Sequence, residues 1–153
     1  MRTPTKPRWK TFLSELTRFF HILAKDIITL FPTPSEPFPL LSLSPEGVKK
    51  FPFPEEIKPI LDIAQKYFGN PDEYPVNPYA LLLAIRVAER GRKGFEFGIT
   101  MVKDTDLKTQ CEYACRTLKN TFERFKHQTQ EHDFITFLGS RYAPLNAPND
   151  PEN

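Results

Sequence analysis

The feature that most constrains this sequence is an apolar stretch, 79–91, which would form a helix with apolar side chains on most of its surface. Asn77 and Pro78 precede it, and they are typical of a helix start, since Asn caps free N–H groups and Pro suits the first helical position. Its apolar residues are Ala80, Leu81, Leu82, Leu83, Ala84, Ile85, Val87 and Ala88. Such a helix must be covered by other elements, so the sequence predicts a mainly α-helical fold built around it. Gly91 is expected to end it, because glycine adopts the left-handed conformation cheaply.

A carboxylate, Glu89, falls in the last turn of this helix beside the apolar stripe. The helix C-terminus is partly negative and burial disfavours the ionised form, so both effects are expected to raise the pKa of Glu89. A general acid that works near neutral pH requires such a pKa. Positive charge lowers a carboxylate pKa, and three cations follow closely: Arg90, Arg92 and Lys93. Burial and the helix end are expected to outweigh these cations in setting the pKa of Glu89 only if the long cationic side chains point to water.

Four short motifs occur in a set order: Ala84-Ile-Arg-Val-Ala-Glu-Arg-Gly91, Glu96-Phe-Gly98, Ser140-Arg-Tyr-Ala-Pro144 and Asn149-Asp150. Over residues 77–150, about half of the chain, this order resembles the phage-type members of the lysozyme and lytic transglycosylase superfamily. The resemblance implies a lysozyme-like helical domain at 54–145, with a short hairpin or turn after the catalytic helix. It also implies that Glu89 protonates the oxygen of the β-1,4 bond between N-acetylmuramic acid and N-acetylglucosamine. The implied partner is the peptidoglycan glycan strand, and no cofactor is implied.

The resemblance also implies that the turn after the helix lines the sugar cleft, with Glu96, Phe97 and Gly98 as substrate contacts. Glu96 would orient water or assist the acid; the alternative, a solvated side chain, is favoured. Alternation of Phe97, Ile99 and Met101 predicts a short strand in this turn.

Tyr142 stands where lytic transglycosylases carry a Tyr-Asn-Ala-Gly element beside the catalytic Glu. The resemblance implies that its hydroxyl donates a hydrogen bond to a substrate N-acetyl group or to Glu89. This chain departs from the element, since Pro144 stands in the motif. A half-buried tyrosine with a structural hydrogen bond is an equal alternative.

Two segments precede the helical domain. Residues 1–31 are predicted to form an amphipathic helix from Trp9 onward, because the apolar residues keep helical spacing. Its apolar face packs on the domain or a partner protein, which is favoured, or lies on a membrane surface. Interspersed charges exclude a spanning helix and argue against a signal peptide: Glu15, Arg18, Lys25 and Asp26. Eight prolines between Pro32 and Pro59 predict a Pro-rich linker at 32–53.

Three more helices are predicted. The first runs from Pro54 to Phe68 and is stopped by Gly69. A long amphipathic helix begins near Leu107, after the capping candidates Asp104 and Asp106. A last helix covers 131–142, and the polar tail 146–153 is expected to be flexible.

Charge and cysteine content limit the range of partners. A net charge of +2 over 153 residues does not indicate a nucleic-acid binder. Cys111 and Cys115, four residues apart on an apolar helix face, are expected to be reduced core thiols rather than a disulfide or zinc ligands. His127 and His132 flank a loop without further ligands, so no metal site is expected.

Other functions stay open. No second carboxylate stands out at the spacing of a catalytic pair, which favours a lytic transglycosylase over a hydrolase. The main alternative is a non-enzymatic lysozyme-like module of a virion or cell-envelope assembly, which would share every core position. A third is a helical domain in which Glu89 is only exposed. The residues do not fix a cellular location.

Overall fold

The computed structural model describes residues 8–30, 40–128 and 133–142, except for the side chains at 8, 9, 28–30, 40–42, 141 and 142. This part of the chain is mainly helical, as predicted. In chain order its elements are α1 (Arg8–Ala24), β1 (Ile27–Leu30), β2 (Leu40–Leu43), α2 (Pro45–Lys50), α3 (Pro54–Phe68), α4 (Pro78–Glu89), α5 (Leu107–Lys126) and α6 (Phe134–Tyr142). None of the helices in these ranges is both long and apolar enough to cross a membrane. The tail 146–153 lies outside the described residues.

The apolar helix predicted from the sequence is α4, and it occupies the centre of the fold. Every residue from Pro78 to Val87 is buried, with α1, α3 and α5 packed around it. Its start is confirmed, because the N–H groups of Tyr79 and Ala80 donate to Asn77 Oδ1 at 3.0 and 3.1 Å. Pro78 occupies the first turn, where no intrahelical donor is needed.

The first helix, α1, packs with its apolar face against α4. Its apolar face is buried in the same core as α4: Phe12, Leu16, Phe20 and Leu23. The helix ends at Ala24, so the prediction that it continues to Phe31 was wrong. The β-branched run Ile27-Ile-Thr29 favours extended backbone over helix, and it forms β1 instead. A membrane or partner role for residues 9–31 stays a prediction.

A two-stranded antiparallel sheet follows α1. Ile27 pairs with Leu43 and Leu30 with Leu40. The pairing is closed by Ser44, whose N–H donates to the Asp26 carbonyl at 2.7 Å.

Both β2 and α2 lie inside the segment predicted to be a linker, which therefore contains regular structure. Proline counting was misleading here because Pro45 stands at the first position of α2, where proline is accepted. Four of the prolines in this segment fall at 31–39, outside the described residues.

The predictions for α3 and α5 are confirmed. Helix α3 runs from Pro54 to Phe68 and ends at Gly69, which has a φ of 56°. Helix α5 begins after Asp106, whose Oδ1 accepts a hydrogen bond from the Thr109 N–H at 2.7 Å. That backbone hydrogen bond lowers the pKa of Asp106.

Both cysteines lie on the buried face of α5, as predicted. The hydrogen bond between them, together with burial, raises the pKa of the Cys111 thiol. They therefore act as small apolar side chains of the core.

Helix α6 begins at Phe134, three residues later than predicted, because Asp133 caps it. Its Oδ1 accepts hydrogen bonds from the N–H groups of Ile135 and Thr136. Residues 129–132, which include His132, lie outside the described part of the chain. Phe134 stacks on Phe122 of α5 with ring centroids 4.4 Å apart, so α6 closes the aromatic side of the core.

Candidate functional site

Glu89 is the last residue of α4 and is half-buried. The residue that ends the helix in the left-handed conformation is Arg90, with φ 51° and ψ 26°. The prediction that Gly91 would adopt this conformation was therefore wrong. A side chain at Gly91 would lie 2.7 Å from the Phe95 carbonyl carbon, and nearer still to its oxygen. Glycine is required there for close approach of the backbone and not for a positive φ.

The Glu89 carboxylate lies directly against Gly98. A Cβ atom at Gly98 would be 2.7 Å from Glu89 Cδ and closer still to Oε2. Gly98 also has a φ of 69°, which disfavours any other residue. The structure therefore brings together two of the predicted site residues, and it leaves no room for a side chain between them.

Glu96 is buried, with 3% of its surface exposed, so the expectation of a solvated side chain was wrong. Its Oε1 accepts a hydrogen bond from the Gly94 N–H at 2.8 Å, because the turn folds the side chain back over its own backbone. Oε2 is buried without a hydrogen-bond partner among the described residues. A buried oxygen without a hydrogen-bond partner costs free energy.

Phe97 is buried in the core, and the strand predicted around it is absent from this turn. Gly98 reverses the backbone, and a 3-10 helix follows at Thr100–Val102. Gln110 of α5 contacts three backbone carbonyls of the turn. Its Nε2 donates hydrogen bonds to the carbonyl oxygens of Gly94, Ile99 and Val102 at 3.3, 3.3 and 2.6 Å. The turn alternative for this region is the one observed. A substrate contact by Phe97 or Glu96 stays a prediction.

The three cations that follow Glu89 in the sequence are exposed to solvent, as the acid hypothesis requires. Arg90, with 70% of its side chain exposed, forms an ion pair with Glu15 of α1. Arg92 forms one with Asp104 at 2.6 Å, and its hydrogen bond lowers the pKa of Asp104. Lys93 is exposed.

Arg86 is a buried member of the site to which the sequence reasoning gave no role. Its Nε and Nη2 donate to Glu56 Oε2 and Oε1 at 2.6 and 3.0 Å. Its guanidinium lies over the Phe53 ring, 3.7 Å from the centroid. Nη1 also donates to the carbonyls of Gly91 and Glu96, at 3.2 and 3.5 Å. The available signal was its position as the single charged residue before Glu89 in an otherwise apolar helix.

The side chain of Tyr142 lies outside the described residues, so its contact with Glu89 stays a prediction. A surface groove runs along α1, and none of its lining residues is a predicted site residue: Lys10, Leu13, Ser14, Thr17 and Arg18. The described residues contain no cluster of three or more His, Cys, Asp or Glu that could hold a metal ion.

Comparison of the chain with protein-family models, curated proteins and solved structures finds no match. The resemblance to the lysozyme and lytic transglycosylase superfamily therefore stays a prediction from the sequence motifs.

Proposed function

We propose that this protein is a peptidoglycan-cleaving glycosidase of lysozyme or lytic transglycosylase type. Glu89 is the general acid that protonates the oxygen of the β-1,4 bond between N-acetylmuramic acid and N-acetylglucosamine. The observation that carries the proposal is the position of the Glu89 carboxylate, which ends a buried helix and lies on the backbone of Gly98. Both residues belong to the motifs that resemble this superfamily.

The surroundings of Glu89 suit an acid that must hold its proton. Partial burial and the negative end of α4 both favour the neutral carboxyl. The neighbouring cation Arg90 is engaged by Glu15, and Arg86 is engaged by Glu56. The negative charges of Glu15 and Glu56 therefore offset most of the effect that the two arginines would have on the protonation of Glu89.

The site favours a route with one protein carboxyl. Glu96, the nearest carboxylate in sequence, uses one oxygen on the Gly94 N–H and is buried in the turn. A single acid can act if the N-acetyl or 6-hydroxyl group of the substrate supplies the nucleophile. That chemistry favours a lytic transglycosylase, which leaves 1,6-anhydro ends, over a hydrolase with two catalytic carboxylates.

The test is Glu89→Gln, which keeps the shape of the side chain and removes the acid. Digestion of purified peptidoglycan, with muropeptides measured by mass, is expected to slow by about 100-fold to 10,000-fold. Glu73→Gln, an exposed glutamate on the 3-10 turn before α4, is the matched control and should cleave like the unmodified chain.

Equal digestion by the unmodified chain and by Glu89→Gln would remove Glu89 as the catalyst. Among the products, 1,6-anhydro ends identify a transglycosylase and reducing ends a hydrolase. Binding of the unmodified protein to sacculi without release of muropeptides would instead favour a non-enzymatic lysozyme-like module.

A further inference from the structure

The buried ion pair between Glu56 and Arg86 connects α3 with the end of α4. Both nitrogens on one side of the guanidinium contact the two oxygens of one carboxylate, so the pair has the two-pronged geometry that fixes orientation. Arg86 exposes 3% of its side chain and Glu56 exposes 16%. A pair so far from solvent adds little net stability, because desolvation offsets the attraction between the charges. Its position next to the candidate acid calls for another explanation.

Arg86 also holds the turn on which the Glu89 carboxylate lies. Its Nη1 donates to the Gly91 carbonyl and to the Glu96 carbonyl, one at each end of the turn. Gly98 follows Glu96 by two residues and contacts the Glu89 carboxylate. One guanidinium therefore sets the distance between the helix that carries the acid and the backbone that supports it.

Arg86 is also the charged residue that precedes Glu89 on α4. Arg86 and Glu89 are three residues apart on one helix, a spacing that places two side chains on the same face. An uncompensated cation on the same face of the helix would favour loss of the proton from Glu89. Glu56 supplies the compensating negative charge from α3.

Other charged groups lie around Glu89 in the described part of the chain. Arg90 is paired with Glu15 of α1, and Glu96 is buried in the turn. The residue of α5 that donates hydrogen bonds to the turn, Gln110, is uncharged. Among these groups, Arg86 and Glu56 are the pair whose separation would leave a buried charge beside the acid.

We propose that Glu56 and Arg86 act as a positioning pair for Glu89: Arg86 fixes the turn beneath the carboxyl, and Glu56 cancels the charge of Arg86 so that the acid keeps its proton. The inference deepens the proposed function and rests on it. Neither residue touches substrate in this proposal.

The test compares Glu56→Gln with Glu55→Gln. Both residues stand in the first turn of α3, but Glu55 is exposed, and the carboxylate that accepts hydrogen bonds from Arg86 in the described structure is that of Glu56. The rate of peptidoglycan cleavage is measured against pH, and the Glu89 carboxyl carbon is titrated by NMR, with its signal assigned by its loss in Glu89→Gln. In Glu56→Gln we expect the titration midpoint and the alkaline limb of the rate profile to fall together by about one pH unit. Above that limb the rate should drop about tenfold. Glu55→Gln should move neither.

A double variant, Glu56→Gln with Arg86→Gln, separates the two parts of the proposal. With both charges removed, the Glu89 midpoint should return to that of the unmodified chain. The turnover number should stay reduced while KM changes little, because the Gly91 and Glu96 carbonyls have lost their donor. Since this variant buries no lone charge, it carries the test if Glu56→Gln alone does not fold.

Each result decides one point. A Glu89 midpoint that moves no further in Glu56→Gln than in Glu55→Gln overturns the charge compensation. A double variant with full turnover overturns the positioning by Arg86. If Glu89→Gln cleaves normally, the proposed function has failed, but the NMR midpoint still reports whether the pair acts on Glu89.

Discussion

The two ends of α4 are built in different ways. At its N-terminal end, the helix has a standard cap on Asn77 and enters an aromatic cluster. Tyr79 packs edge-to-face on Phe68, with ring centroids 6.4 Å apart, and Phe68 packs likewise on Phe122 at 6.2 Å. These contacts bury apolar surface without leaving a polar group unpaired, so this end contributes mainly stability.

The C-terminal end of α4 accumulates features that cost stability. Arg90 adopts a left-handed conformation without being glycine. Arg86 is buried in an ion pair with the partly buried Glu56, and Glu96 Oε2 is buried without a partner in the described structure. All three features surround the one carboxyl group, Glu89, that the motifs single out.

Costly features that gather in one place are typical of functional sites, where strain and buried charge are kept for a task. The comparison predicts that changes at the N-terminal end of α4 lower the stability of the fold and leave the chemistry intact. Changes at the C-terminal end should lower cleavage more than stability.

The largest effect is expected for Phe122→Ala, at a residue of α5 in the aromatic cluster beside the N-terminal end of α4. Phe122 is fully buried and contacts the rings of Phe68, Tyr74 and Phe134. Its truncation leaves a cavity and should lower the free energy of unfolding by about 3–5 kcal/mol, measured by denaturant titration. Met101→Ala, at a side chain that is 86% exposed, is the control and should change stability by less than about 0.5 kcal/mol.

The rate of cleavage per folded Phe122→Ala molecule should match that of the unmodified chain. A specific loss of cleavage in this variant would show that the aromatic cluster also shapes the site, and the contrast between the two ends would fail.

The next effect is expected for Gly98→Ala at the C-terminal end. The new methyl group would overlap the Glu89 carboxylate, so the acid must move. A displacement of this size should slow cleavage about 100-fold, as judged by the turnover of purified peptidoglycan. Gly69→Ala is a close control, because its φ of 56° is similar and nothing lies within 4 Å of the added Cβ.

Both glycine variants should be destabilised by backbone strain, because both positions have a positive φ. Only Gly98→Ala should lose cleavage. Equal activities in the two variants would mean that the contact between Glu89 and Gly98 has no catalytic importance.

Sequence reasoning succeeded where one local pattern decides the structure. The Asn77-Pro78 start, the stop at Gly69 and the cap at Asp106 each depend on neighbouring residues alone, and each is confirmed. It failed at Glu96 and Phe97, because the burial of a turn depends on what packs over it. Gln110 of α5 donates hydrogen bonds to three carbonyls of that turn, although it lies eight or more residues away from them in the chain.

The ion pair shows the same limit. Arg86 was visible as a lone charge in an apolar helix, but its partner Glu56 lies 30 residues earlier in α3. Nothing local connects the two positions, so a buried pair could not be told from an exposed arginine. The extended run after Ala24 differs, since its β-branched residues carried a local signal that helical spacing outweighed.

The smallest effect is expected for Tyr79→Phe, which probes the N-terminal end of α4 by its pH dependence. The Tyr79 hydroxyl donates to the Gly69 carbonyl at 2.5 Å and ties the start of α4 to the end of α3. Its loss should lower the free energy of unfolding by about 1 kcal/mol near neutral pH.

Burial raises the pKa of Tyr79 to about 12, so the folded protein holds this proton more tightly than the unfolded chain does. The contribution of Tyr79 is therefore complete below pH 10 and is lost as the pH rises toward 12. Denaturant titrations of the unmodified chain and of Tyr79→Phe should accordingly converge in this range. Two stability curves that stay parallel up to the alkaline limit would show that the Tyr79 hydroxyl is not held in the core, and the hydrogen bond between Tyr79 and Gly69 would not join α4 to the end of α3.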